Sequence, residues 1–144
     1  MNPPITREVL YCRATGRRIP PERGRAVQAG SPIAIAVLDD GSSMPIFGDT
    51  VLGREPTIDR HVRSGQAEAW ALRDPRHEVS RCHLLLRRRG RRLEAVDLGS
   101  RNGTALAGAD GAWRPTMPGI GEPIVDRQQL RLGLRTITIH YVQR

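Results

Sequence analysis

The chain of 144 residues contains no lysine, so its formal net charge of +8 rests on arginine alone. Aromatic residues make up only 3% of it, which leaves Leu, Ile, Val and Ala to build a core from a hydrophobic content of 38%. Against that background Trp70 and Trp113 stand out. No stretch approaches the ~20 apolar residues of a membrane helix. The opening MNPPITREV also lacks the apolar centre of a signal peptide. These absences predict a cytoplasmic protein with no membrane insertion. Two cysteines, Cys12 and Cys82, lie far apart with no export signal, which predicts reduced thiols rather than a disulfide framework. No pair of Cys-x-x-Cys motifs occurs, so neither a structural zinc nor any other metal or cofactor is expected.

What the chain does have in excess is a planar cation. The arginine fork suits phosphate and carboxylate, which points to an acidic partner. Its distribution is uneven. Residues 1–31 hold six Arg and two Glu, for +4, whereas residues 32–144 hold seventeen Arg and thirteen acids, also for +4. Residues 1–31 mix Pro, Gly, Arg and Ala without a sustained period and read as a basic tail or linker. Residues 32–144 then form one domain.

Within that domain the rhythm is one of strands and turns. PIAIAVLDDGSSMPIF reads as a strand, a turn over Asp39 to Ser42 with the hairpin dipeptide Asp40-Gly41, and a second short strand. TVLGREP, AEAWALRD, HLLLRRR, RRLEAVDL, GTALAG, GAWRP, EPIV and QQLRLGLRTITIHYV follow as short runs with turn residues between them. In the last run Ile137, Ile139 and Tyr141 alternate with Thr136, Thr138 and His140, one face apolar and one polar. Only TIDRHVRSG, Thr57 to Gly65, suits a turn or two of helix, with Gly65 as its end. The pattern predicts an all-β sandwich or barrel of antiparallel strands.

Three short motifs sit at strand ends: Leu52-Gly53-Arg54-Glu55-Pro56, then Ser80-Arg81-Cys82-His83, then Asp97-Leu98-Gly99-Ser100-Arg101-Asn102-Gly103-Thr104. Each alone has a plain reading: a solvated arginine, a serine bonding nearby backbone beside a core histidine, and a hairpin turn at Asn102-Gly103. Together, in this order, they resemble the forkhead-associated, or FHA, domains of bacterial proteins, whose pattern is Gly-Arg, Ser-x-x-His and Asn-Gly with a following Thr. Asp74, Asp97 and Leu106-Ala107-Gly108 agree at flanking positions. The resemblance spans about Pro32 to Arg144. It implies a sandwich of two antiparallel sheets whose loops at one end bind phosphothreonine peptides.

By that resemblance Arg54 and Ser80 hold the phosphate, and Arg81 and Arg101 add contacts to phosphate or peptide. Asn102 bonds the peptide backbone. Gly53, His83 and Gly103 support the site, with His83 bracing Ser80 and the Gly53-Arg54 turn from below. The chemistry is apt, because phosphothreonine carries about −1.5 to −2 charges and three strong acceptor oxygens, and arginine meets such oxygens with charge-assisted, bidentate bonds. The implied function is non-catalytic recruitment of proteins phosphorylated by Ser/Thr kinases, with the kinase or its substrate as partner. The stretch between Arg54 and Ser80 is longer than in compact members and is expected to form an extended loop beside the site. Some bacterial FHA proteins carry a cysteine-rich zinc segment ahead of the domain, but the single Cys12 does not support one here.

Two other classes compete. A hydrolase reading uses Ser80 and His83, but no Gly-x-Ser-x-Gly elbow accompanies them. A scaffold reading binds an unphosphorylated acidic protein or nucleic acid through Arg87, Arg88, Arg89, Arg91 and Arg92, which flank Gly90 at a hairpin tip. The aromatic platform of single-strand binders is missing, which disfavours nucleic acid.

Overall fold

A computed structural model describes residues 30–142. The tail reading of residues 1–31 therefore falls almost wholly outside the described residues, as does Cys12. Among the described residues eleven strands form two sheets. The first contains β1 (Ala34–Leu38), β2 (Ser43–Ile46), β7 (Thr104–Ala107), β8 (Trp113–Pro115), β10 (Gln129–Leu132) and β11 (Arg135–Tyr141), in the order β2-β1-β11-β10-β7-β8. The second contains β3 (Thr50–Gly53), β4 (Glu68–Ala71), β5 (Leu84–Arg89), β6 (Arg92–Asp97) and β9 (Glu122–Pro123), in the order β4-β3-β5-β6-β9.

The local expectations for turns and strands hold where one short signal decides them. Asp40-Gly41 closes the β1–β2 hairpin, with Gly41 at φ +91 and Asp40 accepting hydrogen bonds from the Ser42 N–H and hydroxyl. On β11, Ile137 and Ile139 are buried while His140 is exposed. The run QQLRLGLRTITIHYV is two strands, because Gly133 at φ +59 turns β10 back on β11. Two details go beyond these expectations. The sheets are antiparallel as expected except for one pair, β3 and β4, which run in parallel. Their connection is the crossover that a parallel pair requires, made of a 3₁₀ turn (Pro56–Ile58) and a one-turn helix α1 (Arg60–Arg63) capped by Asp59. Gly65, at φ +85, follows the helix as expected. Asn102-Gly103, whose plain reading alone is a hairpin turn, joins two sheets. It lies on the crossover from β6 in the second sheet to β7 in the first.

The main core lies between the sheets: Leu52, Trp70, Leu84, Leu86, Leu93 and Ala95 from one side meet Ala36, Ile46, Leu106, Leu130, Ile137 and Ile139 from the other. Trp70 is buried to 1% exposure and is the largest of these side chains. A second apolar cluster of Val51, Val62, Ala67, Ala69, Leu85 and Val96 covers the opposite face of the second sheet. That double coverage is why β3 is buried at every residue and why β5 opens with three successive leucines. The long stretch after Arg54 thus folds in large part onto the outside of a sheet, through Val62 and Ala67, rather than hanging beside the motifs. Among the described residues no helix is long and apolar enough to cross a membrane.

Candidate functional site

The end of β3 and the chain leading into β5 are pressed together. A methyl group on Gly53 would lie 2.0 Å from the carbonyl oxygen of Arg81, so no side chain fits there. The contact lets Arg54 N–H donate to Ser80 O (3.1 Å) and Glu55 N–H donate to Arg81 O (3.0 Å). The half-buried Arg54 side chain is aimed by its Nε, which donates to Val79 O at 2.6 Å. Its two Nη atoms have no partner among the described residues and remain available to an anion.

His83 is fully buried and joins two loops. Its Nδ1 accepts from the Ser80 N–H at 3.0 Å, and its Nε2 donates to Gly103 O at 2.9 Å. The pairing specifies the neutral tautomer protonated at Nε2. Burial pushes the imidazole below its ordinary pKa, outweighing the Gly103 carbonyl and the Asp97 and Asp74 carboxylates, which pull the other way. The His83 ring is thus bonded to the Ser80 N–H, while the Arg54 and Glu55 N–H groups after Gly53 are bonded to the carbonyls of Ser80 and Arg81.

The Asn102 loop is built on Asp97, which is 1% exposed. One carboxylate oxygen accepts from Gly99 N–H and Ser100 N–H, both at 3.0 Å. The other accepts from the Ser100 and Thr104 hydroxyls, both at 2.6 Å. Ser100 Oγ in turn accepts from Gly103 N–H at 2.9 Å. Gly103 sits at φ +79, in the left-handed region that favours glycine.

This loop meets the serine loop at the rim. Ser80 Oγ accepts from the Arg101 N–H at 3.0 Å, so its hydroxyl proton is directed elsewhere. The exposed Arg101 side chain reaches His77 O at 3.4 Å, and Arg81, also exposed, pairs with Glu55 at 3.8 Å. Asn102 Nδ2 donates to Glu78 O at 2.8 Å and Glu78 Oε1 at 3.1 Å. Gly53, Arg54, Ser80, Arg81, His83, Arg101, Asn102 and Gly103 thus converge at one end of the sandwich, within one bonded network apart from Arg81's side chain.

Several residues of this network carried too little local signal to be assigned a role. Asp97 and Asp74 were visible only as flanking positions; Asp74 Oδ2 accepts from Val79 N–H at 2.5 Å. Glu78 and Gly133 gave no signal at all. A methyl group on Gly133 would meet Glu78 O at 2.6 Å, so the β10–β11 turn packs against the backbone just before Ser80.

Both ring nitrogens of His83 are bonded to backbone atoms, so neither can take a proton from the Ser80 hydroxyl. Cys82 is half-buried against the outer cluster, and burial with nearby carboxylates raises its thiol pKa, the opposite of what a nucleophile needs. No cluster of metal-ligating side chains occurs among the described residues.

The arginine hairpin lies at the other end of β5, about 20 Å from the site at roughly 3.3 Å per residue. Arg87 donates to Glu94 Oε1 at 2.8 Å and Arg89 at 3.3 Å; Arg88 donates to Phe47 O and Gly90 O; Arg92 stacks on Tyr141. Four of the five arginines are therefore engaged within the fold.

Residues 50–112 match the family model of the FHA domain. Among solved structures, the FHA domain of FhaA, complexed with an intracellular domain of another protein, is 26% identical with a TM-score of 0.54, covering 74% of this chain and 99% of that one. A structure from work on phosphothreonine-dependent FHA domain interactions is also 26% identical, with a TM-score of 0.55 and 77% and 98% of the two chains covered. The FHA domain of CT664 from Chlamydia trachomatis shares the fold at 16% identity, with a TM-score of 0.58 and 76% and 98% covered. No curated protein matches the sequence significantly. The match to the FHA family model thus falls within a two-sheet sandwich whose fold is similar to that of solved FHA domains.

Proposed function

We propose that this domain is a non-catalytic reader of phosphothreonine, which recruits a cytoplasmic protein phosphorylated by a Ser/Thr kinase. One observation carries the reading. Arg54, Ser80 and Asn102, each more than twenty residues from the next in sequence, lie on loops bonded to one another: Arg54 N–H and Nε donate to the Ser80 and Val79 carbonyls, Ser80 Oγ accepts from the Arg101 N–H, and Asn102 donates to Glu78 O. In this reading Arg54 and Ser80 bind the phosphate, Arg81 and Arg101 add positive charge beside it, and Asn102 holds the peptide backbone. Gly53, His83 and Gly103 keep the loops in place. A structure 26% identical to this chain comes from work on phosphothreonine-dependent interactions, which supports the assignment. The internal pairing of the hairpin arginines weighs against a partner that binds there instead.

The test is titration of a phosphothreonine peptide library, with phosphoserine and unmodified controls, against wild type and Arg54→Ala. Wild type should bind the phosphothreonine forms, and Arg54→Ala should lose roughly 2 to 5 kcal/mol of that affinity. Equal affinity in the two proteins, or indifference to phosphate, overturns the reading.

A further inference from the structure

Within the predominantly cationic rim formed by Arg54, Arg81 and Arg101, Glu78 stands in direct contact with the amide assigned to the ligand. Its position is held on several sides. Asp74 bonds the N–H of the next residue, Val79, and His77 just before it takes a positive φ of +57. Gly133 leaves room for the Glu78 carbonyl, and Asn102 Nδ2 donates to that carbonyl and to the carboxylate. No cation pairs with Glu78 among the described residues. A groove of about 190 Å³ begins beside it, lined by Asn102, Gly103 and Gly133 and running to Trp113, on which Arg131 is stacked at 4.7 Å.

We propose that Glu78 is a specificity-determining residue, which selects phosphothreonine peptides carrying a Lys or Arg near the phosphothreonine and rejects those with Asp or Glu there. This rests on the phosphothreonine reading above. The physical reason is a competition for Asn102. When the Asn102 amide turns to a peptide backbone, the Glu78 carboxylate loses its donor and, in an exposed contact, takes a new one from water or from the ligand. A cationic side chain supplies one, whereas an acidic side chain adds like-charge repulsion. The site thus discriminates by attraction and by exclusion at once.

The experiment uses the full chain and a phosphothreonine peptide in which Lys, Ala or Glu is placed singly at each position on either side of the phosphothreonine. Wild type should bind the Lys form on the order of tenfold more tightly than the Glu form at one position or two adjacent ones, the size expected of a partly exposed ion pair plus the opposing repulsion. In Glu78→Gln the Lys-to-Glu ratio should fall close to one, and in Glu78→Lys it should invert. Because each ratio is internal to one protein, a general weakening does not hide the effect. A wild-type ratio near one at every position, or a ratio that survives in both variants, overturns the inference while phosphate-dependent binding stands. Loss of phosphate dependence or of the Arg54 requirement overturns the phosphothreonine reading itself, and this inference with it.

Discussion

The buried ring of His83 donates to the carbonyl of Gly103, twenty residues further along the chain, at 2.9 Å, while its other nitrogen accepts from the N–H of Ser80. One neutral side chain thereby sets the spacing between the loop that carries Ser80 and the loop that carries Asn102. His83→Ala should leave a buried N–H and a buried carbonyl unmet and cost about 2 to 4 kcal/mol, given roughly 1 to 3 kcal/mol for each such group. The same ring makes stability depend on pH. Its folded pKa is depressed by burial, so below the unfolded value of ~6.5 the unfolded chain takes up a proton that the folded chain resists. Stability should be full above about pH 6.5 and fall as the pH drops through the folded pKa. Urea unfolding at a series of pH values checks this. The loss between neutral pH and about pH 5 should shrink in His83→Gln, whose amide keeps one donor and one acceptor.

Gly53 tests the contact from the strand side. In Gly53→Ala the new methyl group meets Arg81 O at 2.0 Å, with backbone rather than a flexible side chain in the way. The chains must part, weakening the Arg54 and Glu55 hydrogen bonds to Ser80 and Arg81. Overpacking of this kind costs typically about 1 to 3 kcal/mol. Gly48→Ala serves as the contrast, since a methyl group there meets nothing within 4 Å. Chemical denaturation should show a clear loss for Gly53→Ala and none for Gly48→Ala; equal midpoints would refute the crowded contact.

Asp97 organises the Asn102 loop through four accepted hydrogen bonds. Asp97→Ala strips all four, and leaving even one of these donors buried and unmet costs about 1 to 3 kcal/mol. The expected signature is local as well as global: amide exchange at Gly99, Ser100 and Gly103 should accelerate more than exchange in the paired strands β10 and β11. Uniform acceleration across the domain would show that Asp97 acts on the core rather than on the loop.

Much of the fold was legible because short-range rules govern it. The alternation of Ile137 and Ile139 with polar neighbours follows from a period of two, and Asp40-Gly41 turns a hairpin through its own backbone. The three motifs could be placed at strand ends for the same reason. Asn102-Gly103 shows the limit. The identical kind of dipeptide signal marks a crossover between sheets, because β7 finds its partners in β10 and β8 rather than in β6.

The amino-acid sequence by itself determined the strand content, the sharp turns and the residue types of the three strand-end motifs, since propensity, periodicity and turn chemistry act within a few residues. Tertiary structure alone decided which of those residues meet. The parallel pairing of β3 with β4, the backbone pressed against Gly53, the engagement of the hairpin arginines and the placing of Glu78 beside Asn102 all depend on strand order and sheet packing. Such contacts join residues 20 or more positions apart in several cases, as with Glu78 and Asn102 at a separation of 24, and no local pattern encodes them.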